Sequence, residues 1–110
     1  QAREVARSIL DQRTPDLIIC ATDQIALACF KEARLHNLSV PEDVSIIGFG
    51  GHDVGALITP ALATVHFPNE EAGQLCARTI VQMIQGQAVP KLQVLGFEFD
   101  PGQSVSKLEK

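Results

Sequence analysis

The segment PDLIICATDQIALACF, residues 15–30, decides the fold class of this 110-residue chain. Its first part, Leu17–Cys20, is a short and wholly apolar run, which is typical of a strand buried on both faces in a parallel sheet. Thr22 or Asp23 can cap the helix that follows and that extends to about His36. A buried strand that leads directly into a helix is the repeating unit of α/β proteins.

The same alternation continues on both sides of this segment. A helix covers residues 1–11, and its pattern is already under way at the first residue, which indicates a piece of a longer protein. Beyond residue 36 we predict strands at 44–49, 64–67 and 92–99, a short helical stretch at 54–58, a long helix at 68–85 and a loose tail at 101–110. The order predicts an α/β fold with a mostly parallel sheet.

Charge and composition exclude several classes of function. Nine Lys and Arg against 13 Asp and Glu give a formal net charge of −4. An acidic chain does not by itself wrap a phosphate backbone, so these residues are not expected to bind nucleic acid directly. No apolar run approaches the roughly 18 residues of a membrane span.

Three cysteines occur, Cys20, Cys29 and Cys76, and no two form a C-x-x-C pair. The odd number and the spacing favour neither a disulfide framework nor a zinc site. Each cysteine lies inside an apolar pattern. We therefore expect all three to be small buried hydrophobes in a reducing compartment.

Two polar turns follow the first two predicted strands, Ala21–Gln24 and Gly50–Asp53. The carboxyl ends of parallel strands share one edge of a sheet, which is where open α/β sheets bind ligands. Hydroxyl, carboxylate, amide and imidazole groups there suit a polyhydroxylated small molecule or a phosphate. Each residue also has a purely structural interpretation: Thr22 or Asp23 as a helix cap, Gly50 as a turn former, and His52 as an exposed turn residue.

No pattern in the chain predicts catalysis or a bound cofactor. Gly48-Phe49-Gly50 resembles the start of a dinucleotide fingerprint, but the third glycine would fall on Asp53, so the motif fails. Neither a zinc-protease motif nor a nucleophile elbow is present. We predict no enzyme, no cofactor and no metal.

The predicted helix after Asp23 is apolar on every side over Ile25–Phe30. A surface helix has one apolar stripe, which packs on the core of its own domain. The apolar side chains on the opposite side of this helix therefore need a second surface to pack against. A subunit interface or a third layer of the same domain would supply it.

Three stretches resemble LacI/GalR-type transcriptional repressors. Residues 15–27 look like the family segment PDAIFCANDxxALG, residues 40–49 are similar to VPEDVSVIGFDD, and residues 59–65 are similar to TPPLTTV. Glu71-Ala72-Gly73 matches the helix that follows these motifs in the family. The three motifs occur in the family order and spacing, and together they cover nearly the whole chain.

The resemblance implies a three-layer, periplasmic-binding-protein-like (type I) fold of two α/β lobes, of which this chain holds the C-terminal part. Residues 1–66 would belong to the second lobe. Residues 67–90 would contain a crossover and a helix that packs on the first lobe, 91–100 the return strand, and 101–110 the tail.

The resemblance also implies a ligand site and an interface. Thr22, Asp23, Gly50 and His52 fall on or beside family effector positions, and Leu27, Phe30 and Ile58 on or beside family dimer positions. Most members carry Asp where this chain has Gly50, so the standard clamp on sugar hydroxyls is altered. A sugar or a sugar phosphate is the expected effector, and the Gly-Phe-Gly-Gly variant resembles sucrose- and trehalose-type operon repressors.

The implied function is effector sensing in a cytoplasmic, sugar-responsive repressor. The protein would act as a homodimer, would not bind membranes, and would contact operator DNA only through a domain absent from this chain. The alternative is a periplasmic sugar-binding protein of a transport system, which has the same fold. Unpaired cysteines and the dimer-like helix argue against that alternative.

The predicted helix 68–85 carries an apolar stripe that the implied first lobe would cover. Exposing several such side chains would cost several kcal/mol at about 25 cal/mol per Å². We therefore predict that a second copy of the chain covers the stripe or that it folds back onto the chain's own sheet. Its members are Ala72, Leu75, Cys76, Thr79, Ile80, Met83 and Ile84.

Overall fold

A computed structural model of the chain describes residues 1–107. Its elements are α1 (Ala2–Gln12), β1 (Leu17–Ile19), α2 (Asp23–Leu35), β2 (Ser45–Gly50), α3 (Asp53–Ala56), β3 (Ala63–His66), α4 (Asn69–Ile84) and β4 (Glu98–Asp100). The four strands form one sheet in the order β1-β2-β3-β4. β2 runs parallel to both β1 and β3. The predicted α/β class and parallel sheet are confirmed.

The chain divides into two compact units. Unit 1 contains residues 1–66 and the segment from 99 onward, and unit 2 contains residues 67–98. The core of unit 1 is an apolar cluster contributed by α1, α2 and β2 and by residues that adjoin the strands. Its buried members are Ala6, Leu10, Cys20, Ala26, Cys29, Ala33, Val44, Ile46 and Leu62.

β1 corrects the expectation of a strand buried on both faces. Leu17 and Ile19 are 42% and 65% exposed, and only Ile18 between them packs against the core cluster. Successive side chains of a strand point to opposite faces, so the face carrying Leu17 and Ile19 is the one left open. A continuous apolar run therefore indicated the strand correctly but not its two-sided burial.

Unit 2 contains the clearest predicted helix and one wrong strand boundary. α4 forms as expected, but none of its residues is buried, so the predicted burial of Cys76 is wrong. Coverage of the stripe, by a second copy or by the chain's own sheet, stays a prediction. The expected strand 92–99 is reduced to Glu98–Asp100. A strand needs a partner for its backbone groups, and Leu92 and Val94, which are largely exposed, have none in the described sheet.

The segment after β4 is not the loose tail that we expected, as far as residue 107. Ser104 is fully buried, and its Oγ accepts a hydrogen bond from Ala63 N at 2.7 Å and donates one to the Ile46 carbonyl at 2.5 Å. Ser104 thereby satisfies buried backbone groups of two elements at once. The last three residues of the predicted tail, 108–110, lie outside the described residues.

α1 is held to α2 by two polar pairs. Arg3 binds the buried Glu32 with Nη2 at 2.6 Å from Oε1. His36 Nδ1 lies 2.8 Å from the Glu32 carbonyl, and its Nε2 lies 2.8 Å from Asp11 Oδ1. Both partners of this imidazole are acceptors, so both ring nitrogens donate when the ring is protonated.

The His36 contacts predict a pH dependence of stability. The hydrogen bond to Asp11 and then the one to the Glu32 carbonyl raise the pKa of His36 above 6.5. When the pKa of a group is higher in the folded than in the unfolded state, the group stabilises the fold. This stabilisation is complete below the pKa of the unfolded state and is lost as the pH rises through the pKa of the folded state. His36→Gln should therefore lower the urea midpoint most below pH 6.5, with a gap that narrows at higher pH.

The control for this prediction is Asp11→Asn, which removes the stronger contact. In that background the effect of His36→Gln should depend much less on pH. An equal loss at every pH in the parent chain would contradict the prediction.

Candidate functional site

The two polar turns predicted from the sequence lie side by side at one edge of the sheet. β1 and β2 are parallel neighbours with Ile18 paired to Ile46, so both strands end at this edge. Asp23 begins α2 just after β1, and His52 follows β2. The His52 backbone N–H donates to Asp23 Oδ2 at 2.7 Å, which joins the two turns directly.

Asp23 holds this edge together from inside. It is fully buried, and its Oδ1 accepts a hydrogen bond from the Thr64 hydroxyl at 2.6 Å. Thr64 Oγ1 in turn accepts the Gly51 N–H at 3.3 Å. Both oxygens of Asp23 are thus used inside the protein, so this side chain fixes the turn and does not face solvent.

Thr22 has the capping role that was one of its two interpretations. Its Oγ1 accepts the Ile25 N–H at 3.3 Å, and its backbone is extended, as at other helix N-caps. The hydroxyl hydrogen takes no part in that bond. Thr22 is half-buried while it caps α2.

Gly50 and Gly51 both have positive φ, at +129° and +67°, which side-chain-bearing residues rarely adopt. A Cβ on Gly50 would lie 3.0 Å from the His52 ring, and a Cβ on Gly51 would collide with the His66 ring. The two glycines therefore leave room for two imidazoles that flank the turn. An aspartate at position 50 would crowd His52.

The sequence did not single out Thr64 and His66, although both belong to this edge. His66 pairs with Gly50 across β2 and β3, and its Nε2 lies 3.7 Å from Asp100 Oδ2. The available signal was the spacing of two residues between Thr64 and His66 in an otherwise apolar strand, because that spacing puts both on one face. His52 itself is exposed.

The three residues predicted for a dimer interface line one surface groove in unit 1. Its volume is about 880 Å³. Leu27 and Phe30 belong to the part of α2 that is apolar on every side, and Ile58 lies in the turn after α3. We call this the α2 groove; its lining is Leu27, Phe30, Lys31, Arg34, Leu35, Leu38, Val40, Ile58, Thr59 and Pro60.

Residues 1–107 show neither a metal site nor a membrane span. In that range no three His, Cys, Asp or Glu side chains are grouped as a metal ion would require. None of the helices in the same range has the length and apolar character needed to cross a membrane.

Comparisons with known proteins agree with the fold and the motifs. Residues 1–105 match the family described as periplasmic binding protein-like domain. The HTH-type transcriptional regulator GntR of Escherichia coli is 38% identical over 91 residues, which are 82% of this chain. The chain spans 28% of the length of that regulator.

Solved structures show the same architecture. The lac repressor dimer bound to operator and the anti-inducer ONPF has a TM-score of 0.89 at 24% identity, over 94% of this chain and 37% of that one. A LacI family regulator from Arthrobacter in complex with lactose has a TM-score of 0.83 at 27% identity, over 96% and 40% of the two chains.

These relatives are regulators of transcription rather than enzymes. This agrees with the prediction of no catalytic function, which was drawn from the lack of a catalytic motif. The three stretches that carried the resemblance all lie within the matched range, residues 1–105. The chain belongs to the periplasmic binding protein-like domain family, in the form carried by LacI/GalR-type transcriptional regulators.

Proposed function

We propose that this chain is part of the effector-sensing domain of a sugar-responsive transcriptional repressor. The observation that carries the proposal is the joining of the two turns by Asp23, which presents Thr22 and His52 on one sheet edge. Membership of the LacI/GalR-type regulators and the lactose complex of the Arthrobacter relative support a sugar as the ligand class.

Within this site the four predicted residues take two kinds of role. Thr22 and His52 contact the effector, because the first is half-buried with a free hydroxyl hydrogen and the second is exposed. Asp23 and Gly50 position the turn, because Asp23 is buried and Gly50 adopts a positive φ beside the His52 ring. An imidazole at this edge, with no aspartate at position 50, suits a sugar phosphate as well as a neutral sugar.

Ligand binding by this edge can be measured by titration calorimetry against neutral sugars and sugar phosphates. For the sugar that binds, His52→Ala is expected to lower the affinity by about tenfold, which corresponds to one lost hydrogen bond of about 1.4 kcal/mol. Glu42→Ala is the matched control, because Glu42 is exposed and precedes β2 at the opposite end of that strand. Equal affinities of the two variants, or no sugar bound at all, would contradict the proposal.

The protein acts as a homodimer through the α2 groove in this proposal. The groove is largely apolar and gathers the three predicted interface residues, and the lac repressor relative is described as a dimer. Operator DNA is contacted through a domain outside these 110 residues, in the cytoplasm. Effector binding then alters operator affinity by linkage, because the two ligands bind different domains of one assembly.

The dimer proposal predicts a dominant effect of a charge in the α2 groove. Leu27→Lys would bury an unpaired ammonium group in the interface, because Lys31 and Arg34 of the same groove are also basic, so we expect the dimer dissociation constant to rise at least about a hundredfold, or roughly 3 kcal/mol. Val5→Lys makes the same change at an exposed apolar residue of α1 that does not line this groove and should leave the dimer intact. Sedimentation velocity over a range of concentrations distinguishes these results. The proposed interface would be contradicted if the parent chain stayed monomeric or if both variants had the same dimer dissociation constant.

A further inference from the structure

Two cysteines of unit 1 form a close pair that the proposed function does not use. Cys20 follows β1 directly, and Cys29 lies in the middle of α2. Their Sγ atoms are 3.7 Å apart, with the Cys20 thiol donating to the Cys29 sulfur. Both residues are at most 4% exposed, whereas Cys76 is exposed. A pair of this kind differs chemically from two separate buried thiols, because one sulfur can attack the other once either is oxidised.

The contact makes the two sulfurs unequal. The hydrogen bond from Cys20 lowers the pKa of the Cys29 thiol, because it stabilises the thiolate. The same contact, followed by burial, raises the pKa of Cys20. The thiolate is the reactive form of cysteine, so Cys29 is the nucleophile and Cys20 is the resolving thiol.

An apolar groove of about 470 Å³ leads to the pair. Both cysteines line it together with side chains of α1 and β1, such as Val5, Ile9 and Ile18. A small uncharged oxidant fits such a groove, whereas a large charged disulfide would have to shed its hydration against apolar walls. The chemistry of the groove therefore selects hydrogen peroxide as the class of oxidant.

We infer that Cys20 and Cys29 form a peroxide-sensitive modification site that closes into an intramolecular disulfide. The Cys29 thiolate attacks one peroxide oxygen, breaks the O–O bond and releases hydroxide, leaving a sulfenic acid. Cys20 then attacks Sγ of Cys29 and expels the sulfenic oxygen as water. Overall two thiols and one peroxide give one disulfide and two waters, so the protein loses two electrons and the peroxide gains them.

Closing the bond requires a small movement. A disulfide holds its sulfurs at about 2.05 Å, so the two Sγ atoms must approach by roughly 1.7 Å from their present 3.7 Å. The bond would link the end of β1 to the body of α2 on either side of Ala21–Asp23. Oxidation would therefore constrain the turn that carries Thr22 and Asp23, although no residue of the turn is itself modified.

The test exposes the reduced full chain to graded hydrogen peroxide, removes it, and alkylates the remaining thiols under denaturing conditions. We expect the number of alkylated cysteines to fall from three to one, with the loss of two hydrogen atoms from the intact mass before alkylation. Peptide mapping should find the link between residues 20 and 29, and dithiothreitol should reverse it. Cys76→Ser is the matched variant, in which alkylation should fall from two to none.

Single variants separate the two steps. In Cys20→Ser, Cys29 should remain a sulfenic acid that dimedone captures, and in Cys29→Ser, Cys20 should stay reduced. The inference is overturned if Cys20 and Cys29 both remain alkylatable at a peroxide dose that already oxidises Cys76. It is also overturned if oxygen is added at Cys29 in the parent chain without loss of the two hydrogens. Both results are read on the parent chain, so they stand even if a single variant folds poorly.

Discussion

Asp23→Ala is expected to lower the free energy of unfolding by about 3 kcal/mol, the largest effect of a single side chain at the sheet edge where the two polar turns meet. Asp23 is fully buried, and its loss would leave the Thr64 hydroxyl and the His52 N–H without their acceptor. Each orphaned buried donor costs about 1–3 kcal/mol. The measurement is the urea midpoint at unchanged slope, with amide hydrogen exchange at His52 as a local readout.

Two further variants serve as controls for this prediction. Asp23→Asn keeps the shape and one acceptor oxygen, so it should lose about half as much stability as Asp23→Ala. Asp53→Ala removes an exposed carboxylate from the start of the neighbouring α3 and should change stability by less than about 0.5 kcal/mol. If Asp23→Ala behaved like Asp53→Ala, Asp23 would not be the link between the turns.

Gly102→Ala should lower the free energy of unfolding by about 2–4 kcal/mol, because it combines strain with a backbone collision. Gly102 has φ +45°, and a Cβ there would lie 2.6 Å from both Ala63 N and the Leu62 carbonyl carbon. These are backbone atoms of β3 and of the residue before it, so they cannot move aside as a flexible side chain could. The segment that carries Ser104 would have to lift away from the strand. Thermal unfolding of the variant against the parent chain gives the loss.

Gly86→Ala is the matched control for Gly102→Ala. Gly86 has φ +74°, but a Cβ there would meet no atom within 4 Å. Only the left-handed backbone is penalised in that variant, so we expect a loss of about 1 kcal/mol. Similar losses in the two variants would mean that the close approach at Gly102 contributes nothing.

Local patterns were sufficient to predict most elements of the fold. The apolar run at 44–49 became β2, and the periodic stripe at 68–85 became α4. Thr22 as a cap of α2 also follows from local chemistry, because the group that it satisfies is only three residues away. Such features depend only on residues that are close in the sequence, so local patterns are enough to predict them.

The wrong predictions concern residues whose partners are distant in the chain. Ser104 is buried through contacts to residues 41 and 58 positions away, and nothing in the polar segment 101–107 indicates them. Leu92 and Val94 look like strand residues but have no neighbouring strand in the described sheet. The hydrogen bond between Asp23 and Thr64 could not be predicted for the same reason, because the two residues are 41 positions apart.

The contact between His66 and Asp100 has a consequence for how this chain can be divided. The backbone leaves unit 1 after His66 and re-enters it at Phe99, and the side chains on either side of that gap are 3.7 Å apart. Exit and return points this close are typical of an inserted domain in a host. A linker of a few residues could bridge them, so we expect unit 1 to fold with such a linker in place of residues 67–98. The host would keep its parallel strands, its buried aspartate and its thiol pair.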